Sequence, residues 1–569
     1  MSVLAPWTIA EPDARAVAAL VRELGVGEIT ATCLVNRDLG SPDDARTFMA
    51  PLLKQLDRPD RMADLERAVD RVVEGLDRDE QIGIFGDYDV DGVSSVALLV
   101  SFLRKLGARF TPLVADRFAG GFGLGAEAVE RFFQCGCRLI IALDSGPGEL
   151  AASRAAEELG VEIIVVDHHR VESPRADLLA YVNPQRADCR FPDKSLAAVG
   201  LAFYFAAAIR SRLVEIGRLD RDAFDPRTLL DLVALGTVAD VVPLKQNNRI
   251  LVHHGLKRLS LTDRPGLRAL FRGARLRGSR IRADHIAFQL APRLNAAGRM
   301  SNAMDALELL ICEDRGEAER LTARLEQLTQ ERRSVEERVT ELACRQVEER
   351  RLVDQPALVV WGDGWHRGVL GIVAARLTEQ YGKPAYVVGF DDEIGVGSAR
   401  AQGQLNLHES LVVAAEHLVR YGGHRDAAGF TVDRGALDRA SGALVEYAAT
   451  SADTSGVRGV VCDARISPAD VTGSLLSELD RLAPFGNQNP EPVFELDGLR
   501  VLESRVVGTG HLKLELMVPG GSVSAFGPRM GHDGGRVPPV IRVAAALTHD
   551  EWKGDGSPEL RLQALPVEI

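Results

Sequence analysis

The chain has 569 residues, too many for a single hydrophobic core, and this length predicts three or four domains. Its 46% hydrophobic and 26% charged residues are the composition of an ordinary soluble protein. The net charge of -13 argues against indiscriminate binding to a polyanion. We expect no export signal, since the sequence does not begin with a basic segment followed by an apolar stretch, and no membrane span, since no run of 18 apolar residues occurs.

Residues 1–78 are predicted to form a helical lead-in, with Ser41 at a helix start. From residue 79 near-continuous apolar strands follow, at about 83–85, 110–115, 139–143 and 161–166. Amphipathic helices separate them, at about 95–106, 126–134 and 148–159. This alternation is typical of a parallel sheet, so residues 79–312 are assigned to one α/β domain.

Each predicted strand of this domain ends in an acidic residue. Ligands of open parallel sheets bind outside the carboxyl ends of the strands, so these side chains are expected along one edge. Two histidines follow the last strand and are able to bind a metal or to transfer protons. The residues are Asp87, Asp89, Asp91, Asp116, Asp144, Asp167, His168 and His169.

The loop from Asp87 to Gly92 places three carboxylates at alternate positions, which indicates a divalent cation because like charges this close repel one another. A calcium loop of the helix-flanked type is disfavoured, since its twelfth position should be glutamate and is Leu98. The loop alone leaves open a second alternative, in which the acids only cap the following helix.

Two further features lie downstream of the sheet. The apolar run 229–244 contains Asp231 and Asp240, and a buried carboxylate needs a partner or a metal, so either is a candidate ligand. Residues 249–300 hold twelve Lys or Arg but only two acids, Asp263 and Asp284. Such a stretch is either a phosphate-backbone track or a solvated helix face.

Four short motifs then allow a comparison with known families: Asp89-Val-Asp91-Gly, Asp144-Ser-Gly, Asp167-His168-His169 and Gly236-Thr-Val-Ala-Asp240. They resemble the motifs of the DHH phosphoesterase superfamily. The segments 290–300, 365–373, 397–400 and 422–430 are similar to the RecJ family, the single-stranded-DNA exonucleases of that superfamily. The similarity runs from about residue 80 to the end of the sequence.

The resemblance implies a site with two divalent cations, Mn²⁺ or Mg²⁺. Its implied ligands are Asp87, Asp89, Asp91, Asp144, His168 and Asp240, with Asp144 as the bridge and Asp231 as an alternative. The implied catalytic residues are Asp144, His168 and His169, the last as a transition-state stabiliser. The implied substrate-binding residues are Asn295, Arg299, His366, Arg376, Arg400, Gly422, Gly423 and His424.

Residues 313–352 are predicted to form one long connecting helix, because apolar residues recur in a heptad pattern from Leu321 to Leu342. A rigid spacer and a dimerising coiled coil both fit that pattern. Residues 353–452 return to α/β patterning and are implied to be the DHH-associated substrate-binding domain.

Residues 453–569 alternate short strands with turns, which suits a small barrel, and the family implies an oligonucleotide-binding (OB) fold. Its aromatic residues Phe485, Phe526 and Trp552 either stack on bases or belong to the core.

The resemblance implies an exonuclease that hydrolyses single-stranded DNA from the 5′ end to 5′-mononucleotides, in DNA repair and recombination. We expect a cytoplasmic protein, because seven cysteines without paired spacing are typical of reduced thiols. We also expect a monomer that does not contact membranes. A single-strand-binding protein and a helicase are expected partners. The rivals are a phosphodiesterase for short oligonucleotides or cyclic dinucleotides, and a catalytically inactive scaffold.

Overall fold

The structure is a computed structural model. Contacts divide the chain into two compact units. The first unit comprises Met1–Ala291, Leu307–Ala318 and Arg458–Ile569, and the second comprises Pro292–Ala306 and Glu319–Val457. No helix within the described ranges is both long and apolar enough to cross a membrane. The described residues are 7–118, 123–146, 150–171, 177–276, 280–403, 405–451, 459–508, 510–531, 537–550, 553 and 556–564.

The first unit begins with a short strand and four helices. Helix α1 starts where Asp13 accepts a hydrogen bond from the Arg15 N–H, and it ends at Gly25, whose φ of 65° is left-handed. Pro42 opens the third helix directly after Ser41, as the sequence predicts. The elements are β1 (Thr8–Ile9), α1 (Ala14–Leu24), α2 (Glu28–Val35), α3 (Pro42–Met49) and α4 (Leu65–Asp77).

A five-stranded parallel sheet follows, in the order β3-β2-β4-β5-β6. Strands β2 and β4 are buried along their whole length, which explains their continuous apolar sequence. The elements are β2 (Ile82–Gly86), α5 (Val90–Lys105), β3 (Phe110–Val114), α6 (Ala126–Gln134), β4 (Leu139–Leu143), α7 (Leu150–Leu159), β5 (Glu162–Val166) and β6 (Ala180–Val182).

Helix α5 begins at Val90, five residues before the predicted start, because Asp89 caps it. The turn from β2 into α5 is tight and requires Gly92, since a Cβ there would lie 2.6 Å from the backbone N and O of Asp87. Asp87 is thereby held directly above the end of its strand. Strand β6 was not predicted, because three residues are too few for a periodic pattern.

Helices cover the sheet and continue into the second unit. Helix α5 packs on β2 and β3 and on α8 and α9, so the loop after β2 is fixed from both sides. The helices are α8 (Ala198–Glu215), α9 (Leu230–Ala239), α10 (Gln246–Ser260), α11 (Pro265–Gly273), α12 (Ala283–His285), α13 (Ala291–Met300), α14 (Met304–Ile311) and α15 (Arg315–Glu349), and a π-helical turn spans Ile286–Leu290.

The second unit is built on a mixed sheet of order β10-β11-β9-β8-β7, in which only β7 and β8 are parallel. The heptad residues Leu321, Leu325 and Val339 of α15 are buried. The helix is therefore a packed spacer, and its seam is not available for a dimerising coiled coil. The elements are β7 (Leu358–Asp363), α16 (Leu370–Tyr381), β8 (Ala385–Asp391), β9 (Ile394–Arg400), α17 (Leu407–Val413), β10 (Arg420–Gly423), β11 (Ala427–Asp433) and α18 (Leu437–Ser451).

The last segment returns to the first unit as a closed barrel. Strand β17 pairs with β18 on one side and back with β14 on the other, which completes a five-stranded barrel, and β13 extends it beside β14. This architecture confirms the predicted fold class, whereas the predicted domain boundaries stay predictions. The elements are β12 (Val461–Cys462), β13 (Ala464–Ile466), α19 (Gly473–Leu479), β14 (Val493–Val507), β15 (His511–Val518), β16 (Gly521–Gly527), β17 (Val540–His549) and β18 (Pro558–Leu562).

The N-terminal helices and the barrel share one hydrophobic core. Leu20 and Leu34 are buried in the same cluster as Phe494 of the barrel. Strand β1 pairs in parallel with β12, and the Arg37 guanidinium lies 3.0 Å from the Asp463 carboxylate. The lead-in predicted from the sequence is therefore a structural part of the barrel.

Candidate active site

The carboxyl edge of the parallel sheet gathers acids and histidines from four distant stretches of the chain. The ligand atoms of Asp144, His168 and His169 lie within 4.8 Å of one another, and so do those of Asp91, His168 and Asp240. His168 belongs to both groups, since its Nε2 lies 3.3 Å from Asp144 Oδ1 and 3.7 Å from Asp240 Oδ2. The predicted convergence of these side chains is therefore present.

The three acids of the loop after β2 have different surroundings. Asp89 Oδ1 accepts hydrogen bonds from the Asp91 and Gly92 N–H groups, so this residue caps helix α5. Asp91 accepts the Ala198 and Val199 N–H groups at the start of α8. Asp87 is buried, and among the described residues its Oδ1 accepts no hydrogen bond.

Asp144 combines two features of a functional carboxylate. Its φ of 54° is unusual for a residue other than glycine and holds the side chain in a strained backbone conformation. Its Oδ1 is buried and, within the described part of the chain, accepts no hydrogen bond. A buried carboxylate oxygen without a donor needs a positive charge close to it.

Burial raises the pKa of the acids in this cluster, and their mutual repulsion raises it further. The pKa reaches about 7 for Asp91 and about 9 for Asp240, and it rises well above its usual value for Asp87 and Asp144. Burial also lowers the pKa of His168 to about 4, so its imidazole is neutral. Neutral imidazole and clustered carboxylates are a donor set that fits divalent cations such as Mn²⁺ and Mg²⁺.

Asp231 and Asp116 lie outside both groups. Asp231 is fully buried in α9, where it accepts a hydrogen bond from Thr262 Oγ1 at 2.8 Å and pairs with Arg264 Nε at 3.0 Å. This ion pair neutralises its charge, so the structure does not support Asp231 as a metal ligand. Asp116 accepts the Phe118 N–H at 2.7 Å and shapes a turn.

His169 is held by Asp167, a role that the sequence analysis missed. Its Nδ1 lies 2.8 Å from Asp167 Oδ1 and 3.8 Å from Asp144 Oδ1, so the hydrogen bond to Asp167 occupies the ring nitrogen that is nearer to the cluster. Burial lowers the pKa of His169, but the hydrogen bond to Asp167 and the nearby carboxylates outweigh it and raise the pKa. A charged His169 is suited to a phosphate oxygen.

In the second unit, three predicted substrate-binding residues meet at the start of helix α16. Arg299 donates to the Gly368 carbonyl oxygen at 3.2 Å, and His366 Nδ1 accepts the Gly368 N–H at 3.2 Å. A Cβ on Gly371, in the first turn of α16, would lie 2.9 Å from Arg400 Nη2. A helix N-terminus beside arginine and histidine side chains is a suitable phosphate site.

The other predicted substrate-binding residues lie elsewhere in the second unit. Arg376 lies further along α16 and pairs with the buried Glu336 at 2.5 Å. Gly422 and Gly423 are exposed on the edge strand β10, and the His424 N–H donates to the Ala427 carbonyl oxygen at 2.8 Å. Asn295 is half-buried on α13. Their part in substrate binding stays a prediction.

The basic stretch 249–300 is not a continuous phosphate track. Most of its arginines already have partners within the chain, and several of those partners are far away in sequence, as Asp480 is from Arg280. Arg277 lies outside the described residues. The ion pairs are Arg258–Asp263, Arg264–Asp231, Arg280–Asp480, Arg282–Asp284 and Arg293–Glu326.

Part of this stretch instead borders a cavity of about 1300 Å³ against the barrel. Phe485 and Phe526 line it, together with Lys257 and Arg275. Both aromatic rings are only half-buried, so neither is a closed core residue. Trp552, the third predicted stacking residue, lies outside the described residues.

Comparison with known proteins matches three segments of the chain to family models. Residues 81–237 match the DHH family, N-terminal domain, residues 354–450 match the DHHA1 domain, and residues 462–564 match the RecJ OB domain. The single-stranded-DNA-specific exonuclease RecJ of Bacillus subtilis is 34% identical, over 99% of this chain and 71% of its own length.

Two solved structures have the same architecture. RecJ from Thermus thermophilus in complex with Mn²⁺ is similar with a TM-score of 0.82 and 30% identity, covering 100% of this chain and 81% of its own. The complex of that protein with Mg²⁺ gives a TM-score of 0.77 and 29% identity, covering 99% and 78%.

Proposed function

The chain belongs to the RecJ family of single-stranded-DNA-specific exonucleases, and from this premise we propose that it degrades single-stranded DNA from the 5′ end to 5′-mononucleotides. The observation that carries the proposal is the pair of donor groups that share His168 at the carboxyl edge of the sheet. An inactive scaffold would have no need to keep buried carboxylates that repel one another.

We assign the metal-binding role to Asp87, Asp89, Asp91, Asp144, His168 and Asp240. When bound, Mn²⁺ or Mg²⁺ supplies Lewis-acid polarisation of the phosphodiester and compensates its negative charge. The carboxylates of the chain would hold the two cations, and we assign the buried Asp144 as a ligand of both. Asp89 is assigned as a metal ligand although its Oδ1 also caps α5.

His169 then acts on the phosphate itself. Its raised pKa favours the protonated ring, and a protonated imidazole stabilises the charge that develops on a phosphate oxygen. Asp167 engages Nδ1 and so fixes the orientation of the ring toward the substrate. Asp144 and His168 complete the catalytic set.

The second unit holds the nucleotide. Arg299, His366 and Arg400 bind its phosphate at the start of α16. We also assign substrate binding to residues that lie elsewhere in this unit, which are Asn295, Arg376, Gly422, Gly423 and His424. In the first unit, Phe485 and Phe526 stack on bases of the strand inside the cavity. The barrel beside this cavity matches the RecJ OB domain, which favours a longer single strand over a cyclic dinucleotide as the substrate.

The cellular setting is also part of the proposal. The seven cysteines are free, which is consistent with a reducing cytoplasm. We assign the chain to DNA repair and recombination as a cytoplasmic monomer, with a single-strand-binding protein and a helicase as partners that expose or deliver single strands.

The test is digestion of a single strand labelled at either end, and of a blunt duplex, with Mn²⁺ or with EDTA. We expect early release of the 5′ label as a mononucleotide, only with metal and only from the single strand. Early release of the 3′ label would contradict the polarity. Cleavage of dinucleotides alone would favour the small-substrate rival, and binding without cleavage would favour the scaffold.

A further inference from the structure

Three buried side chains connect the loop that contains His168 and His169 to the edge strand β6. They are Asp167 before the loop, Tyr181 on β6 and Asn183 directly after β6. Asn183 Nδ2 donates to the His169 carbonyl oxygen at 2.9 Å and lies 3.3 Å from Asp167 Oδ2. The Tyr181 hydroxyl donates to Asp167 Oδ2 at 3.3 Å. Asp167 and Asn183 are 0% exposed and Tyr181 is 1% exposed, so these contacts are shielded from bulk solvent. Asp167 Oδ1 is thereby turned toward His169.

The orientation of the Asn183 amide is fixed by its own surroundings. Its Oδ1 accepts the Gln185 N–H at 2.8 Å, so its nitrogen is the atom that faces Asp167. This nitrogen lies within hydrogen-bond distance of the Asp167 carboxylate and the His169 carbonyl oxygen. One residue thus controls both the rotation of Asp167 and the backbone at His169.

Strand β6 is itself held firmly on its outer side. Asp64 accepts the Tyr181 N–H at 3.1 Å and forms an ion pair of 2.6 Å with Arg186. Arg186 is 6% exposed and also donates to the Tyr181 carbonyl oxygen. An edge strand closed in this way gives Tyr181 and Asn183 a rigid base.

We propose that Asn183 is a positioning residue for phosphodiester cleavage, which acts through Asp167 and fixes the His169 ring with Nδ1 toward Asp167 and Nε2 toward a phosphate oxygen. Tyr181 assists by donating to the same Asp167 oxygen. The inference rests on the proposed function, in which His169 contacts the phosphate. Partners of this kind that orient a site residue typically change activity by about 10–100-fold when they are removed.

The first test compares Asn183→Ala with the wild type in steady-state digestion of a 5′-labelled single strand in saturating Mn²⁺. We expect kcat to fall about 10–100-fold, whereas KM and the Mn²⁺ affinity of the full chain, measured by calorimetry, change less than about threefold. Asn183→Asp has the same shape but puts a second carboxylate against Asp167, so it should lower kcat further. Tyr181→Phe removes one donor only, and its smaller loss of kcat remains measurable if Asn183→Ala folds poorly.

Asn489→Ala is the matched control. Asn489 is 1% exposed and donates to the carbonyl oxygens of Leu482 and Pro484, so its loss removes a comparable buried amide far from the Asp167–His169 pair in sequence. We expect it to lower the thermal midpoint to a similar extent as Asn183→Ala, with kcat unchanged.

The decisive measurement is a double-mutant cycle. If Asn183 acts only through His169, Asn183→Ala in the background of His169→Ala adds no further loss of kcat. Losses that multiply would overturn the inference, as would a wild-type kcat in Asn183→Ala or a Mn²⁺ affinity that falls in step with kcat. If His169→Ala alone keeps the wild-type kcat, the role of His169 in the proposed function fails, and this outcome is distinct from the others.

Discussion

Replacing Asp240 by asparagine should make the metal-free protein more stable while it removes the nuclease activity. At pH 7 a carboxyl group with a pKa of about 9 keeps its proton in the folded chain, whereas an aspartate with the ordinary pKa of 3.8 is ionised after unfolding. Keeping that proton at pH 7 lowers the free energy of unfolding by about 4 kcal/mol. This figure is the interval from pH 3.8 to pH 7 multiplied by about 1.4 kcal/mol per pH unit. Asparagine has no such proton to hold.

The expected gain is therefore up to about 4 kcal/mol for Asp240→Asn, and smaller to the extent that Asp91 shares the proton. At roughly 2 °C per kcal/mol for a large domain, the thermal midpoint in EDTA should rise by up to about 8 °C. The measurement is a thermal melt at pH 7 with EDTA and again with Mn²⁺. The wild type should gain stability from Mn²⁺, and the variant should gain less, because one ligand is missing.

Asp231→Asn, at the other end of the same helical segment, is the control, and it is expected to change the thermal midpoint in the opposite direction. It breaks the buried pair with Arg264, so it should lower the midpoint in EDTA by an amount equivalent to about 3–5 kcal/mol, while the Mn²⁺ response survives. A lower midpoint for Asp240→Asn in EDTA, or a full Mn²⁺ response in that variant, would refute the electrostatic reasoning.

Other predictions concern the same cluster and the barrel. Because the pKa values of Asp91 and Asp240 rise above 3.8, the folded metal-free chain binds more protons than the unfolded chain, so its midpoint should fall from pH 4 to pH 9 and recover with Mn²⁺. Asp144→Asn should abolish Mn²⁺-dependent digestion but leave single-strand binding in EDTA within about threefold, and lost binding would indicate misfolding. Gly92→Ala forces a Cβ against the Asp87 backbone and should lower digestion at least about tenfold, whereas Gly125→Ala, which faces open space, should not. Phe526→Ala should weaken single-strand binding by about 1–3 kcal/mol in a titration, and the exposed Leu502→Ala on the same barrel should have no effect.

The sheet and its acidic edge could be predicted because both depend on local sequence. Strands buried on both sides have continuous apolar sequences, and chain direction alone then places Asp87, Asp144 and Asp167 at one edge. The start of α5 was misplaced for a related reason. An aspartate such as Asp89 is equally suited to cap a helix and to bind a metal, and here the capping interaction moves the helix start to Val90.

What the sequence could not supply was the identity of distant partners. Asp231 resembled a metal ligand until Arg264, which lies 33 residues later, was seen to neutralise it. The net charge of the 249–300 stretch was equally misleading, because Arg280 pairs with Asp480, 200 residues away. Asp167 was one of several strand-end acids, and only the fold brings Asn183 against it. A periodic pattern indicates an apolar face but not the surface that covers it.

The core that α1–α3 share with the barrel has a consequence for the newly synthesised chain. These helices leave the ribosome about 400 residues before the strands on which they pack, which at 5–20 residues per second is a delay of roughly 20–80 s. During that interval Leu20 and Leu34 have no barrel to cover them, while the parallel sheet, whose last strand ends at Val182, is complete well before the barrel strands are made. Chaperones that bind nascent chains would therefore be expected at α1–α3, which become native only after the barrel has been synthesised.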